Sequence, residues 1–106
     1  DDVSWVFLAA PMSIDCLNGH HFVVGTGEGH TIMQAVNLIA TRVYQKFGSS
    51  VSVISIDPPT SQSPIEFRNF IANSSKFQMA VEWAPFYSLT KGIDQTLDFF
   101  FSKKNK

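Results

Sequence analysis

The sequence predicts a single α/β domain spanning residues 1–106, in which two short parallel strands, about 21–24 and 51–56, are covered by helices. Both segments consist mainly of β-branched or aromatic residues, which favour strands. A strongly amphipathic helical pattern with its own start and stop signals lies between them. Because strand, helix and strand follow one another in the chain, a parallel pair with a right-handed crossover is the simplest topology.

A short helix is predicted at the beginning of the chain. Apolar residues recur at spacings of three and four within residues 3–10, behind two acidic residues that suit a helix start. Pro11 is expected to end this helix. Residues 12–19 are then expected to form a loop that closes on the turn pair Asn18-Gly19.

The helix between the two strands carries the clearest signals in the sequence. Thr31 and Gln34 have the T-x-x-Q spacing of a capping box. Apolar residues then recur every three or four positions as far as Phe47, and Gly48 supplies the left-handed position that ends many helices. A helix over residues 32–47 follows from these signals.

The second half of the chain alternates loops and helices. Residues 57–64 are predicted to be a loop, because three of these eight residues are proline. A short extended segment is expected over 65–71, followed by a short helix that Asn73 caps and a final helix that Ser88 caps. The inward face of that final helix is predicted to consist of Leu89, Ile93, Leu97 and Phe100.

Composition excludes several classes of protein. An apolar content of 44% excludes intrinsic disorder, and no apolar run approaches the length of a membrane span. A net charge of −1 provides no basic field for nucleic acid. Cys16 is the only cysteine, so an internal disulfide is impossible and no cysteine–histidine spacing fits a metal site. We expect a buried, reduced thiol in a cytoplasmic protein with no membrane or nucleic-acid partner.

The glycine cluster before the central helix resembles a dinucleotide-binding turn only in part. Such a turn needs G-x-G-x-x-G, whereas Gly25, Gly27 and Gly29 give G-x-G-x-G, with His30 in the place of the third glycine. Glu28 would also place a negative charge among donors meant for phosphate. The cluster is therefore predicted to be a tight structural turn, and no cofactor-binding residue is assigned. The scattered acids and three histidines form no recognisable motif, so no catalytic residue is assigned either.

Three consecutive aromatic residues, Phe99–Phe101, stand near the end of the final helix. They cannot all face one core, because successive helical residues are about 100° apart. At least one ring is expected to leave the core face, where it would form an exposed apolar patch. This predicts self-association of the domain through Phe99–Phe101.

Four segments in series resemble the nucleotide-sugar epimerases and dehydratases, the extended short-chain dehydrogenase/reductases. Residues 21–27 resemble the family's F-N-x-G-(T/S)-G turn, and residues 72–76 resemble its A-D-x-S-K helix start. Residues 82–93 resemble G-W-x-P-x-x-S-L-x-E-G-(I/L), and residues 2–10 resemble the D-(V/L) helix that precedes these motifs. The order and distances match over nearly the whole chain.

The resemblance implies the C-terminal, substrate-binding lobe of a Rossmann-type enzyme. In that family the NAD(P) turn and the Tyr-x-x-x-Lys pair belong to an N-terminal Rossmann domain, which these residues do not include. NAD or NADP is accordingly expected in the parent enzyme and not in this chain, and the chain alone is expected to be inactive. Its expected partners are a nucleotide diphosphate sugar and the missing Rossmann domain.

The resemblance also implies a substrate-binding loop within residues 58–68. The family's R-x-G-D loop aligns here with Ser63 in place of the arginine and Glu66 in place of the acid, while Arg68 is the nearest group that suits phosphate. Surface side chains without a ligand are the alternative interpretation of Glu66 and Arg68. Two other functions stay open: an independent anion-binding module that uses residues 25–31 at a helix start, and a protein-interaction module.

Overall fold

The computed structural model describes residues 1–104, and its secondary structure is helical. The described residues contain no β-strand, so the predicted α/β class with a parallel strand pair is wrong. The chain divides into two compact units: residues 1–29 with 71–88 form the first unit, and residues 30–70 with those from Leu89 onward form the second. The α-helices are α1 (Asp2–Met12), α2 (Ile14–Leu17), α3 (Ile32–Phe47), α4 (Ser75–Val81) and α5 (Leu89–Lys104), with a 3₁₀ helix at Pro64–Phe67.

The two predicted strands lie in irregular backbone and do not pair. Segment 21–24 belongs to the first unit and segment 51–56 to the second. A β-branched sequence favours extended backbone, but a strand forms only when a neighbouring strand completes the hydrogen-bond ladder. Within residues 1–104 neither segment finds such a partner. Their local preference is therefore not sufficient to make a sheet.

The beginning of the chain is more helical than the sequence predicts. Pro11 lies in the last turn of α1, which continues to Met12, and α2 occupies part of the predicted loop 12–19. A proline removes one backbone N–H, and this close to the end of a helix only a single hydrogen bond is lost. Pro11 therefore sits inside α1 and does not end it.

A type II turn follows α2, as the Asn18-Gly19 pair predicts. Asn18 has φ −57° and ψ 131°, and Gly19 has φ 77°. The backbone N–H of His20 donates to the carbonyl of Leu17 across this turn at 3.1 Å.

The core of the first unit is an aromatic cluster around Phe77 of α4, which is 3% exposed. Phe22 and Trp83 each meet the Phe77 ring edge to face, with centroid distances of 5.8 and 5.7 Å. Such edge contacts between rings add to the stabilisation from burial alone. Segment 21–24 is thus held by a side-chain contact where the sequence predicted a sheet.

Asp2 joins the start of α1 to the segment that precedes α5. Its carboxylate Oδ2 accepts the backbone N–H groups of Phe86 and Tyr87, at 3.0 and 2.9 Å. Hydrogen bonds to an ionised acceptor are among the stronger ones in proteins. Asp2 therefore fixes two stretches of chain that lie far apart in the sequence.

Helix α3 of the second unit confirms the predicted signals. Thr31 Oγ1 accepts the backbone N–H of Gln34 at 3.1 Å, and the Gln34 side chain accepts the N–H of Thr31 at 2.9 Å. Gly48 ends the helix with φ 67°, a left-handed conformation that glycine adopts without a steric penalty.

Helices α3 and α5 pack against each other in parallel. Arg42 pairs with Asp94, and Lys46 pairs with Asp98 four residues further along both helices. The two pairs have the same sequence separation of 52 residues, so both helices point the same way. Residues four apart share one helix face, and the two ion pairs therefore form a ladder along the contact.

Beside this ladder, Phe47 of α3 and Phe101 of α5 stack with ring centroids 3.5 Å apart and planes 12° apart. Phe101 is half-buried, whereas Phe100 is 63% exposed. The prediction that Phe100 faces inward is wrong, because Phe101 continues the four-residue spacing that runs from Leu89 through the helix. The prediction that at least one ring of Phe99–Phe101 leaves the core face is confirmed.

Cys16 is a free and exposed thiol, so the prediction that it is buried is wrong. It lies on α2, a single short turn of helix without a buried residue. Among residues 1–104, no helix combines the length and the apolar character needed to cross a membrane.

Candidate functional site

The predicted substrate loop forms one turn of 3₁₀ helix in the second unit. Ser63 is its N-cap residue, and its Oγ accepts the backbone N–H of Ile65 at 3.5 Å. Pro64 occupies the first helical position, where its missing N–H is no loss. The sequence S-P at this point thus starts the turn. The turn replaces the first part of the extended segment expected over residues 65–71, whereas Arg68 has extended backbone, with φ −80° and ψ 129°.

The three predicted binding residues lie within that turn or directly beside it. Ser63 precedes it, Glu66 lies within it, and Arg68 follows it with its backbone N–H bonded to the Ile65 carbonyl at 3.2 Å. In a 3₁₀ helix, residues three apart share a face, which places the Ser63 hydroxyl and the Glu66 carboxylate together. That negative charge disfavours a phosphate on this face, so Arg68 is the group that suits an anion.

The side chains of Glu66 and Arg68 are exposed, and within residues 1–104 neither forms an ion pair or hydrogen bond. Both residues are therefore surface side chains that form no ion pair with each other. The guanidinium keeps all of its donors available. An arginine with this freedom can meet two phosphate oxygens in one plane.

A second candidate site is a cleft of about 380 Å³ in the first unit, where the glycine turn meets the start of α4. Its lining consists mostly of small and polar residues. They are Thr26, Gly27, Ile71, Ala72, Asn73, Ser74, Ser75 and Gln78.

Ser74 links the glycine turn to the start of α4, the two segments that form this cleft. It is 3% exposed, its Oγ donates to the carbonyl of Gly25 at 2.8 Å, and it accepts from Nε2 of Gln78 at 2.8 Å. Gly25 packs so closely that a Cβ placed on it would lie 2.5 Å from the Cβ of Ala72. Gly25 is required here because two chain segments approach each other closely.

No positively charged side chain lines the cleft. Thr26 Oγ1 accepts the backbone N–H of Glu28 at 3.3 Å, and Gly27 adopts φ 76° to close the turn. The cleft therefore offers hydroxyl and amide groups, which suit neutral polar ligands better than anions. Ser74 directly precedes α4, but Asn73 makes the capping hydrogen bond as predicted, because its Oδ1 accepts the N–H of Ser75 in the first turn at 3.0 Å.

Ser74 and Gln78 are not among the residues that the sequence predicts to be functional. Their spacing of four residues is the available signal, because Ser74 directly precedes α4 and Gln78 lies one helical turn further on. The contact of Ser74 with Gly25 has no such signal, because the two residues are 49 positions apart.

The ionisable pair with a shifted pKa lies outside both candidate sites. Two hydrogen bonds from Arg42 lower the pKa of Asp94, and the same contact raises the pKa of Arg42. The pair holds α3 to α5, which is a structural role. Among residues 1–104, histidine, cysteine and acidic side chains do not gather in a group of three or more that could hold a metal ion.

Comparison with known proteins adds no relative: no family model, curated protein or solved structure matches the chain.

Proposed function

We propose that this chain is the nucleotide-sugar-binding part of an NAD(P)-dependent nucleotide-sugar epimerase or dehydratase. The observation that carries the proposal is the mutual contact of the segments that resemble this family. Parts of all four segments lie in the first unit and are joined there by specific hydrogen bonds and ring contacts. These contacts support the proposal, because they bring the matched segments together in one unit.

Each contact involves positions within or directly beside the matched motifs. Ser74 of the helix-start motif donates to Gly25 of the glycine turn at 2.8 Å. Asp2 of the first motif accepts the N–H of Tyr87, within the last motif, at 2.9 Å. The rings of Phe22 and Trp83, from two further motif positions, both contact Phe77.

The proposed ligand contact is made by loop 58–68. Arg68 binds the diphosphate of the sugar donor, because its planar guanidinium matches two phosphate oxygens. The Ser63 hydroxyl and the Glu66 carboxylate accept hydrogen bonds from ribose or sugar hydroxyls. This arrangement would place the sugar towards the nicotinamide of the parent enzyme.

The chemistry itself is assigned to a partner domain of the parent enzyme, which binds NAD or NADP and carries the catalytic residues. The chain supplies binding energy and position, which is the protein's usual contribution to a cofactor reaction. A cytoplasmic setting is part of the proposal, since the lone exposed thiol of Cys16 fits a reducing compartment.

Titration of the chain with uridine, thymidine and cytidine diphosphates, followed by amide NMR, tests the proposal. Chemical shift changes should appear in residues 58–68, and Arg68→Ala should weaken the binding of the preferred diphosphate at least about tenfold. Lys104→Ala removes the same charge from an exposed position and should leave binding unchanged. Changes confined to residues 25–31 would indicate an independent anion-binding module, and the absence of changes would overturn nucleotide binding.

A protein-interaction module is the second candidate, favoured by the exposure of Phe99 and Phe100, which are 54% and 63% exposed. The proposed contact is self-association through Phe99–Phe101. The double variant F99A/F100A should then sediment as a monomer at concentrations where the parent chain associates. Association that is the same in both proteins would exclude this surface.

A further inference from the structure

The cleft between the glycine turn and the start of α4 takes no part in nucleotide binding at loop 58–68. All of its lining residues belong to the first unit, whereas that loop belongs to the second. Its volume of about 380 Å³ falls at the lower end of the range of about 300–1,000 Å³ that is usual for small-molecule sites. The cleft therefore suits a compact ligand.

The walls of the cleft are held in place by long-range contacts. The Oγ of Ser74, which is 3% exposed, donates to the carbonyl of Gly25 at 2.8 Å. Ile71 packs so closely on the glycine turn that a Cβ placed on Gly29 would lie 2.6 Å from its Cδ1. The cleft is thus formed before a ligand arrives, and binding requires little further ordering of the chain.

Four side chains of the lining keep polar groups that no other residue within 1–104 binds. Asn73 uses Oδ1 to accept the N–H of Ser75, and its Nδ2 is free to donate. Gln78 uses Nε2 to donate to Ser74, and its Oε1 is free to accept. The hydroxyls of Thr26 and Ser75 each keep a donor hydrogen. Donors and acceptors therefore occur together in the lining.

This set of groups determines the class of ligand. None of the described lining residues carries a charge, so nothing in the cleft offsets the cost of removing an ion from water. The first N–H groups of α4 are not the binding groups, since Asn73 already caps that end. A hydroxyl both donates and accepts, so neighbouring hydroxyls of one ligand satisfy the Asn73 donor and the Gln78 acceptor together.

We infer that this cleft binds a neutral monosaccharide through the side chains of Asn73, Ser75 and Gln78. Ile71 supplies an apolar surface for the C–H groups of the sugar ring. Each hydrogen bond to the sugar replaces one to water, so binding is weak, with a Kd of about 1–10 mM. The inference does not depend on nucleotide binding, because the two sites lie in different units.

Titration of the chain with D-glucose, D-galactose and D-mannose up to about 100 mM, followed by amide NMR, tests the inference. At least one sugar should cause saturable shift changes in residues 26–27 and 71–78. Residues 58–68 should not respond, which separates this site from the proposed nucleotide site. Inorganic phosphate at the same concentration should leave the cleft amides unchanged, because the lining carries no positive charge.

Asn73→Asp is the sharpest variant. It replaces the free Nδ2 donor by an oxygen of similar size and keeps the oxygen that caps α4. Binding of the sugar should weaken at least about tenfold, while the melting temperature should not fall. Asn69→Asp is the matched control, because it adds the same charge at an exposed residue of the second unit and should leave binding unchanged.

Ser75→Ala is an independent variant of the same site. It removes a free hydroxyl and leaves the backbone N–H that Asn73 accepts, so the chain should fold as before. Binding should weaken by about threefold to tenfold.

Three results would overturn the inference. The first is the absence of saturable changes in residues 71–78 with all three sugars. The second is sugar binding that Asn73→Asp and Ser75→Ala leave at the strength of the parent chain, because the sugar then binds elsewhere. The third is a response of the cleft to phosphate and not to the sugars, which indicates an anion site. None of these results affects nucleotide binding at loop 58–68, which the diphosphate titration tests separately.

Discussion

Arg42 and Asp94 form a two-pronged ion pair between α3 and α5. Nε of Arg42 donates to Oδ1 of Asp94 at 2.7 Å, and Nη2 donates to Oδ2 at 2.6 Å. Nη1 donates to Gln45 at 2.6 Å, which further fixes the guanidinium. This fork geometry is the most specific that arginine and a carboxylate can adopt, although partial exposure to water and salt weakens it.

The substitution Asp94→Asn should make the stability of the protein less dependent on pH under acidic conditions. The pKa of Asp94 lies below its ordinary value of 3.8, chiefly because Arg42 donates hydrogen bonds to the ionised carboxylate. The folded state therefore holds the carboxyl proton more weakly than the unfolded state. Its contribution is complete above pH 3.8 and is lost as the pH falls through the lower folded-state pKa.

The difference in melting temperature between the parent and Asp94→Asn should therefore be largest near pH 6 and should vanish towards about pH 2. Asp15→Asn is the matched control, because it removes the same charge from an exposed residue without a hydrogen bond in the described structure. A difference for Asp94→Asn that stays constant over this range would contradict the role of the ion pair.

Phe101→Ala should lower the free energy of unfolding by about 2 kcal/mol, less than a fully buried phenylalanine contributes. The reason is the loss of the stack on Phe47 at 3.5 Å. Phe100→Ala removes the same atoms one position earlier on an exposed side, and its effect should stay within about 0.5 kcal/mol. Urea denaturation followed by circular dichroism compares the two, and equal losses would show that the stack does not hold the helices together.

Ser74→Ala should cost about 1–3 kcal/mol, because the carbonyl of Gly25 then loses its side-chain donor in a buried position. Ser75→Ala is the control on the adjacent, exposed residue, where only a backbone hydrogen bond is formed and persists. Denaturation curves of both variants measure the difference. Similar stabilities would mean that water replaces the Ser74 hydroxyl without cost.

Gly25→Ala should destabilise the first unit by about 1–3 kcal/mol, because the added methyl group collides with Ala72. Ala72→Gly in the same chain vacates that space. The double variant should recover part of the loss, with a remainder from the extra flexibility of glycine. If the second change worsens the first, the collision with Ala72 is not the cause.

The helix that the sequence predicts best is the one whose signals are local. Thr31, Gln34 and Gly48 bond within a few residues of themselves, so their pattern determines where α3 begins and ends. Segments 21–24 and 51–56 also have a clear local preference, but a sheet depends on a partner strand elsewhere in the chain. The local sequence does not indicate where that partner strand lies, and the described structure contains helices without a sheet.

The two candidate sites also differ in how much of them the sequence predicts. The prolines predict the loop that leads to Ser63, but they do not predict the 3₁₀ turn at Pro64–Phe67, which lies mostly in the segment expected to be extended. The cleft around Ser74 could not be predicted, because it depends on the contact with Gly25, 49 residues away. Long-range contacts of this kind decide the geometry and leave no periodic trace in the sequence.

The pairing of α3 with α5 affects how the protein folds while it is being synthesised. Helix α3 is complete before α5 has been translated. Asp94, the partner of Arg42, is added to the chain 52 residues later. At ordinary rates of synthesis that delay is roughly 3–10 s. During this time Val43 and Phe47 of the nascent chain face solvent, which makes α3 a natural site for chaperone capture.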